Sequence, residues 1–252
     1  MDSSSDEKTI KDLIILGQAA PVELKDGRKS ICTAGWSPNE GMVRLYPVPT
    51  STKSRMWSKV EVPVVRNKQD VRYESWKIQG SKSEWGGLYR KIRDSGKVTA
   101  KPERLSLLAK IMHDHSYGCV NELNDERGSL GIITPEILDC YFEDRAKFEK
   151  TIQMTLDSGV KFLTSKNYKK IPMIKYRCSD CKAKNQYHVQ QLLAWEAYEW
   201  MRVNQDDPIK LNQLWDNLRL KDPDWIKYFL VGNQAYHLKS FMVISVIRFK
   251  KV

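Results

Sequence analysis

Between Leu13 and Ile78 the chain breaks into short apolar runs separated by turn chemistry. Leu13–Leu16, Ser30–Trp36, Met42–Val48, Val60–Val65 and Arg72–Ile78 are each too short for a stable helix and suited to strands. Lys25-Asp-Gly27 and Ser37-Pro-Asn-Glu-Gly41 stand between them, and tight hairpins need residues that tolerate positive φ. Five such runs in so short a stretch predict a small antiparallel β-barrel over residues 10–80. Pro47, Pro49 and Pro63 are expected at edges or bulges, and residues 1–9 as a frayed tail.

From Ser83 the period lengthens. Leu88–Arg93 and Pro102–His113 read as helices, the second with Pro102 in its first turn and Leu105, Leu108, Ala109 and Met112 on one face. Leu130–Ile133 reads as a strand, Ile137–Phe142 fits either state, and Phe148–Leu156 reads as a helix closed near Gly159. This defines a helical or mixed middle region over 81–159. Beyond it, Pro172–Arg177 reads as a strand, Val189–Val203 and Ile209–Leu220 as helices, and Trp225–Val231 with Phe241–Phe249 as a terminal hairpin turning at Gly232-Asn233. Residues 160–252 are therefore expected to form a mixed α/β unit, and the whole chain is placed in the α+β class. No internal repeat is visible.

The charge is strongly partitioned. The net charge is +11 over 252 residues. Residues 53–110 carry 15 Lys and Arg against 6 Asp and Glu, residues 114–149 carry 3 against 9, and residues 161–184 carry 8 against 1. Two basic blocks thus flank an acidic one. A surplus of this kind favours polyanionic partners, with the acidic segment free to face a protein; the alternative is that each block is a solvated face. No run of apolar residues is long enough to span a membrane, and the polar start Met-Asp-Ser-Ser-Ser-Asp lacks a signal core, so a cytoplasmic protein is expected.

Cys178-Ser-Asp-Cys181 has the spacing of a metal knuckle, in which one turn supplies two thiolates to a zinc ion. His188 is the nearest third ligand, and Cys119, His113, His115 or His237 could complete the set. A redox dithiol and a metal-free turn are the alternatives. Asp70, Glu74 and Lys77, with His113 and His115, form a loose approximation to a metal-dependent nuclease centre, although Glu-x-x-Lys departs from the usual Glu-x-Lys. No Gly-rich phosphate loop, His-Glu-x-x-His or Gly-x-Ser-x-Gly is present, so catalysis is not expected. Aromatic and basic residues interleave over Arg72–Lys77 and Trp85–Arg93, a pattern that stacks bases while cations hold phosphates; packing of Trp76 and Trp85 in the core would produce the same pattern.

Cys32-Thr-Ala-Gly35, Val43-Arg-Leu-Tyr-Pro47 and Glu74-Ser-Trp-Lys77, with Tyr176-Arg-Cys178, Trp195-Glu196 and Phe229-Leu-Val-Gly-Asn233, resemble an uncharacterised prokaryotic family associated with mobile elements and antiviral defence. The resemblance implies a subunit of a defence complex, nucleic-acid-guided assemblies included, and transfers no catalytic residue. The combined reading is a non-catalytic DNA- or RNA-binding protein with a protein partner. Lys53, Arg55, Lys59, Arg66, Arg72, Trp76, Lys77, Arg90, Lys91 and Arg93 are the candidate contacts in the first basic block, and Lys166, Lys169, Lys170, Lys175 and Arg177 in the second. Cys178, Cys181 and His188 are the candidate zinc ligands. A metal-dependent nuclease and a protein-binding scaffold are the competing readings.

Overall fold

The computed structural model describes residues 6–24, 26–148, 168–235 and 237–251. Lys166 and almost all of the helix expected over Phe148–Leu156 fall outside them. The N-terminal runs form β1 (Glu7–Gln18), β2 (Val22–Glu23), β3 (Lys29–Ser37), β4 (Gly41–Pro49), β5 (Ser58–Arg66) and β6 (Ser75–Ile78). Period-2 patterning explains β5, where Ser58, Val60, Val62 and Val64 are buried and the residues between them face outward. Gly27 and Gly41 take positive φ at the two turns that the sequence marks.

The strand path β1-β3-β4-β6-β5 returns to β1, so the sheet closes on itself. Every pairing in the ring is antiparallel except β4–β6, where Arg44 faces Ser75 and Leu45 faces Trp76 in parallel. The expected all-antiparallel barrel is corrected at that seam. Ile10, Leu13, Ile15, Ile31, Val43, Leu45, Val60, Val62, Val64 and Trp76 fill the interior.

Among the described residues the middle region is not the helical unit expected, although α1 forms where Pro102–His113 reads as a helix. A 3₁₀ segment spans Lys82–Lys91 where a helix was expected to run to Arg93, and Arg93 instead opens β7 (Arg93–Lys97), paired to β5. Then come α1 (Lys101–His115), β8 (Ser116–Tyr117), α2 (Val120–Asp125), β9 (Leu130–Ile133) and β10 (Pro135–Asp144). The last two belong to the C-terminal half, which is mainly β and not the expected mixed α/β unit. It holds β11 (Lys170–Cys178), β12 (His188–Gln191), α3 (Trp195–Asn204), α4 (Pro208–Asn217), β13 (Trp225–Gln234) and β14 (His237–Lys250). The helix expected over Val189–Val203 begins only at Trp195, and Gly232-Asn233 lies inside β13 and makes no turn. The α+β assignment therefore gives way to a mostly β chain.

The C-terminal strands repeat the order of the first barrel. β10 pairs β11, and β11 pairs β12. Just past β12, Leu192 bridges Val243 of β14 in parallel, with Leu193 N–H donating to the Val243 carbonyl at 2.7 Å. β14 pairs β13, and β13 pairs β9, which runs into β10 across Thr134 alone. Taking β9 and β10 as one bent first strand, the third and fifth strands again meet in parallel. Two such five-stranded Greek-key rings are OB-like barrels. In the second, α3 and α4 are inserted between the third and fourth strands. Asp207 caps α4 by accepting from the Ile209 and Lys210 N–H groups at 3.1 Å each, with Pro208 in the first turn.

The barrels share a wall. The outer face of β1, β3 and β4 presents Ile14, Leu16, Ala34, Trp36 and Met42 to Leu108 and Ile111 of α1 and to Leu130, Ile132, Leu230 and Ile244 of the second barrel, one continuous core. No helix among the described residues is long and apolar enough to cross a membrane.

Candidate metal centre and surrounding surface

Cys119, Cys178, Cys181 and His188 converge: their ligand atoms all lie within 4.8 Å of one another. Each element has a reason to deliver its residue there. Cys178 ends β11 and His188 opens β12, so the β11–β12 hairpin closes around the knuckle, with Tyr176 paired to His188 across it. Cys119 is the residue before α2, and the Asp180 N–H donates to the Gly118 carbonyl at 2.9 Å, pulling the knuckle onto that turn. Cys119 Sγ sits 3.3 Å from His188 Nε2. The Lys182 N–H donates to Cys119 Sγ at 3.3 Å.

The electrostatics suit a cation. Burial pushes the Cys178 thiol up; a hydrogen bond from the Val120 N–H opposes this, and Cys119 and Cys181 raise it further. Burial also pulls His188 down, leaving its imidazole neutral and able to ligate near pH 7. Three thiols and a neutral imidazole, Cys119 and Cys178 buried and Cys181 and His188 half-buried, can hold a metal ion, whose charge would reverse the penalty on the thiolates. The imidazole lies against the buried Tyr176 ring at 5.6 Å, which fixes its plane, and Tyr176 donates to Gln190 Oε1 at 2.8 Å. Of the other histidines weighed as ligands, His113 is exposed beside Asp114 and His115 packs toward Gly41. Cys119 stands far from the knuckle in sequence and has no paired cysteine, so spacing alone left it one of several choices.

Two candidate contacts are buried and are removed from the surface set. Arg72 is held by Asp70 through paired bonds of 2.8 and 2.6 Å and donates to the Asn233 carbonyl at 2.7 Å. Trp76 is 4% exposed in the interior of the first barrel, its ring 3.6 Å from the Arg66 guanidinium and 4.2 Å from Lys8 Nζ. The nuclease constellation also dissolves. Asp70 is bound to Arg72, and buried Glu74 accepts from the Ser129 N–H at 2.9 Å and the Ser129 hydroxyl at 2.8 Å, so neither carboxylate faces a substrate.

The remaining cations lie on two barrels. On the first, Lys59 pairs with Asp12 at 2.9 Å and Lys91 with Glu84 at 3.1 Å, and Arg55 donates to the Thr52 and Ser54 carbonyls. Among the described residues, Lys53, Lys77, Arg90 and Arg93 make no ion pair. Arg90, Lys91 and Arg93 line an open groove with Pro63 and Gln79. On the second, the acidic block lies against the basic one: Glu136 faces Arg177 and Asp144 faces Lys170 in the β10–β11 register, with ion pairs of 3.2 and 2.7 Å. Lys169 pairs with Asp206 at 3.0 Å. Among the described residues Lys175 has no carboxylate partner, and it lies 4.1 Å over the Tyr187 ring. No strand pairing among the described residues joins the two basic segments.

The face formed by the second and third strands differs sharply between the barrels. In the first it is the shared apolar wall. In the second, β11 and β12 turn Lys175, Arg177 and a 43% exposed Val189 outward, and the knuckle lies at the end of that face. Residues 9–109 match the family model of a domain of unknown function (DUF8758), a span that takes in the first barrel and stops short of all four residues of the Cys–His cluster. No curated protein matches the chain.

Proposed function

We propose that this is a non-catalytic nucleic-acid-binding protein that lays an oligonucleotide across the outer face of β11 and β12, with a zinc ion in the Cys3His site bracing the knuckle at its end. The observation that carries the reading is the exposed knuckle end of the second-to-third-strand face of the second barrel, with Lys175 over Tyr187 beside Arg177, while Ile171, Met173 and Gln191 farther along that face are buried. OB-like barrels commonly bind oligonucleotides on that face, and a cation with an aromatic ring suits stacked bases and phosphates. Exposed ion pairs such as Arg177 with Glu136 are weak enough to yield to a phosphate. Arg90 and Arg93, without an ion pair among the described residues, add long-range attraction.

Zinc is favoured by the donor set. A tetrahedral ion with Zn–S bonds of about 2.3 Å sets its donors roughly 3.8 Å apart, which the cluster reaches with small side-chain adjustments. Backbone N–H groups from Val120 and Lys182 already point at two of the sulfurs.

Filter-binding titrations with single- and double-stranded DNA and RNA test the binding half. Affinity should fall steeply between 50 and 200 mM salt, by about tenfold or more, and weaken further in a Lys175→Ala/Arg177→Ala variant. Absence of salt-dependent binding to any of the four would remove the reading. Metal analysis tests the other half: one zinc per chain is expected, lost in Cys119→Ser and retained in Cys140→Ser, since Cys140 is buried away from the cluster. Membership of a larger defence assembly is part of the proposal through the resemblance alone, and co-purification of a partner without nucleic acid would favour the scaffold reading instead.

A further inference from the structure

We propose that the pocket between α2, the knuckle and β14 binds one nucleotide, either free or as an unpaired residue of a strand. The strand source rests on the nucleic-acid reading above, and the free source does not. The cavity has a volume of about 370 Å³, within the range of small-ligand sites. Three separate segments wall it: Asn121, Asn124 and Asp125 from α2, Lys182 from the knuckle, and Lys239 with Phe241 from β14.

The chemistry selects the ligand class. Asn121 lies three residues from Asn124 and four from Asp125, so all three project from one side of the helix. Each carboxamide offers a donor and an acceptor, and the carboxylate adds an acceptor, a set that matches the mixed edge of a nucleobase. Phe241, 6% exposed, adds a small apolar patch to the lining. Lys182 and Lys239 approach from opposite chain segments and supply the charge a phosphate needs. Two lysines disfavour a metal cation, and the half-exposed pair of Lys182 with Glu122 at 3.8 Å is weak enough to yield to a phosphate.

The pocket is tied to the metal centre. Lys182 follows Cys181 directly; its N–H donates to Cys119 Sγ at 3.3 Å, and its carbonyl accepts from Asn121 Nδ2 at 3.3 Å. The wall that carries the Lys182 side chain is therefore positioned by the same residues that would hold the zinc.

The test uses the full zinc-loaded chain, with isothermal calorimetry on AMP, GMP, CMP and UMP and fluorescence anisotropy on single-stranded oligonucleotides. Asn124→Leu and Lys239→Ala are the variants, and Lys239 is exposed, so its loss should leave the melting temperature unchanged. At least one mononucleotide is expected to bind and to lose tenfold or more in both variants. If only oligonucleotides bind and the variants weaken them tenfold, the pocket stands with a strand as its source. If mononucleotides bind at the pocket and no oligonucleotide does, the pocket stands and the strand reading falls. Oligonucleotide binding that both variants leave intact, with no mononucleotide binding, overturns the pocket alone; no binding of either kind overturns both.

Discussion

Glu74 accepts two hydrogen bonds from Ser129, while Arg44 on the adjacent strand donates to the carbonyl of the same serine at 2.8 Å. The Asn233 N–H reaches that carbonyl at 3.1 Å. Ser129 thus joins the first barrel to the second through buried charged partners, and Glu74→Ala would leave the buried Ser129 N–H and hydroxyl without their acceptor. A loss of about 1–3 kcal/mol is expected in urea unfolding; an unchanged midpoint would show that the cluster reorganises freely. Asp70 gives a pH signature. Burial would raise its pKa, but the hydrogen bonds and charge of Arg72 outweigh that and hold it below the ordinary value. A depressed native pKa means stability that is full above the unfolded value of about 4 and lost as pH falls through the native one. Asp70→Asn should therefore destabilise at pH 7, with the gap to wild type narrowing on acidification below about pH 4. A gap that widens would reverse the assigned sign. Neither role was legible in sequence, because Asp-x-Arg-x-Glu looks the same whether it faces solvent, substrate or a second barrel.

Among the elements, β12 was misread for an identifiable reason. Val189, Leu192, Leu193 and Trp195 have helical spacing, yet Gln190 and Gln191 are buried in a strand. Gln190 is held by the Tyr176 hydroxyl, and Gln191 Nε2 donates to the Tyr198 hydroxyl at 2.6 Å. Pairing with β11 overrides local periodicity, and the helix starts only after the chain has crossed to β14. The N-terminal strands were easier to read because Gly27 and Gly41 mark their turns directly. The packing of β1 against β14 makes a sharper claim about one residue. A Cβ on Gly17 would sit 2.5 Å from Ser245 Cβ and 3.1 Å from Leu230 Cδ2. Gly17→Ala should cost about 1–3 kcal/mol in a thermal melt through overpacking, and an unchanged melt would mean that the two strands separate without penalty.

For the molecule as a whole, the apolar wall between the barrels is made of buried residues like either interior, which predicts a single unfolding event. Scanning calorimetry should return one transition with equal calorimetric and van't Hoff enthalpies; two resolved peaks would mean that the barrels are energetically independent. The duplication itself could not be seen in the sequence. The first strand of the second barrel is split into β9 and β10, α3 and α4 interrupt the ring between its third and fourth strands, and the core of the first barrel is mainly aliphatic where that of the second uses Tyr176 and Phe229. The metal cluster was half legible, since Cys178, Cys181 and His188 share a hairpin and Cys119 arrives only through the fold.

The Ser129 junction also bears on how the chain is made. Arg44 and Glu74 leave the ribosome long before Ser129, and Arg72, already paired with Asp70, long before Asn233. The first barrel is therefore expected to carry unsatisfied polar groups at its β4–β6 seam, and a bare outer wall, until synthesis has nearly finished. Nascent chains arrested before residue 129 should be protease-sensitive across the β4–β6 seam and occupied by chaperones, whereas chains released after Asn233 should not.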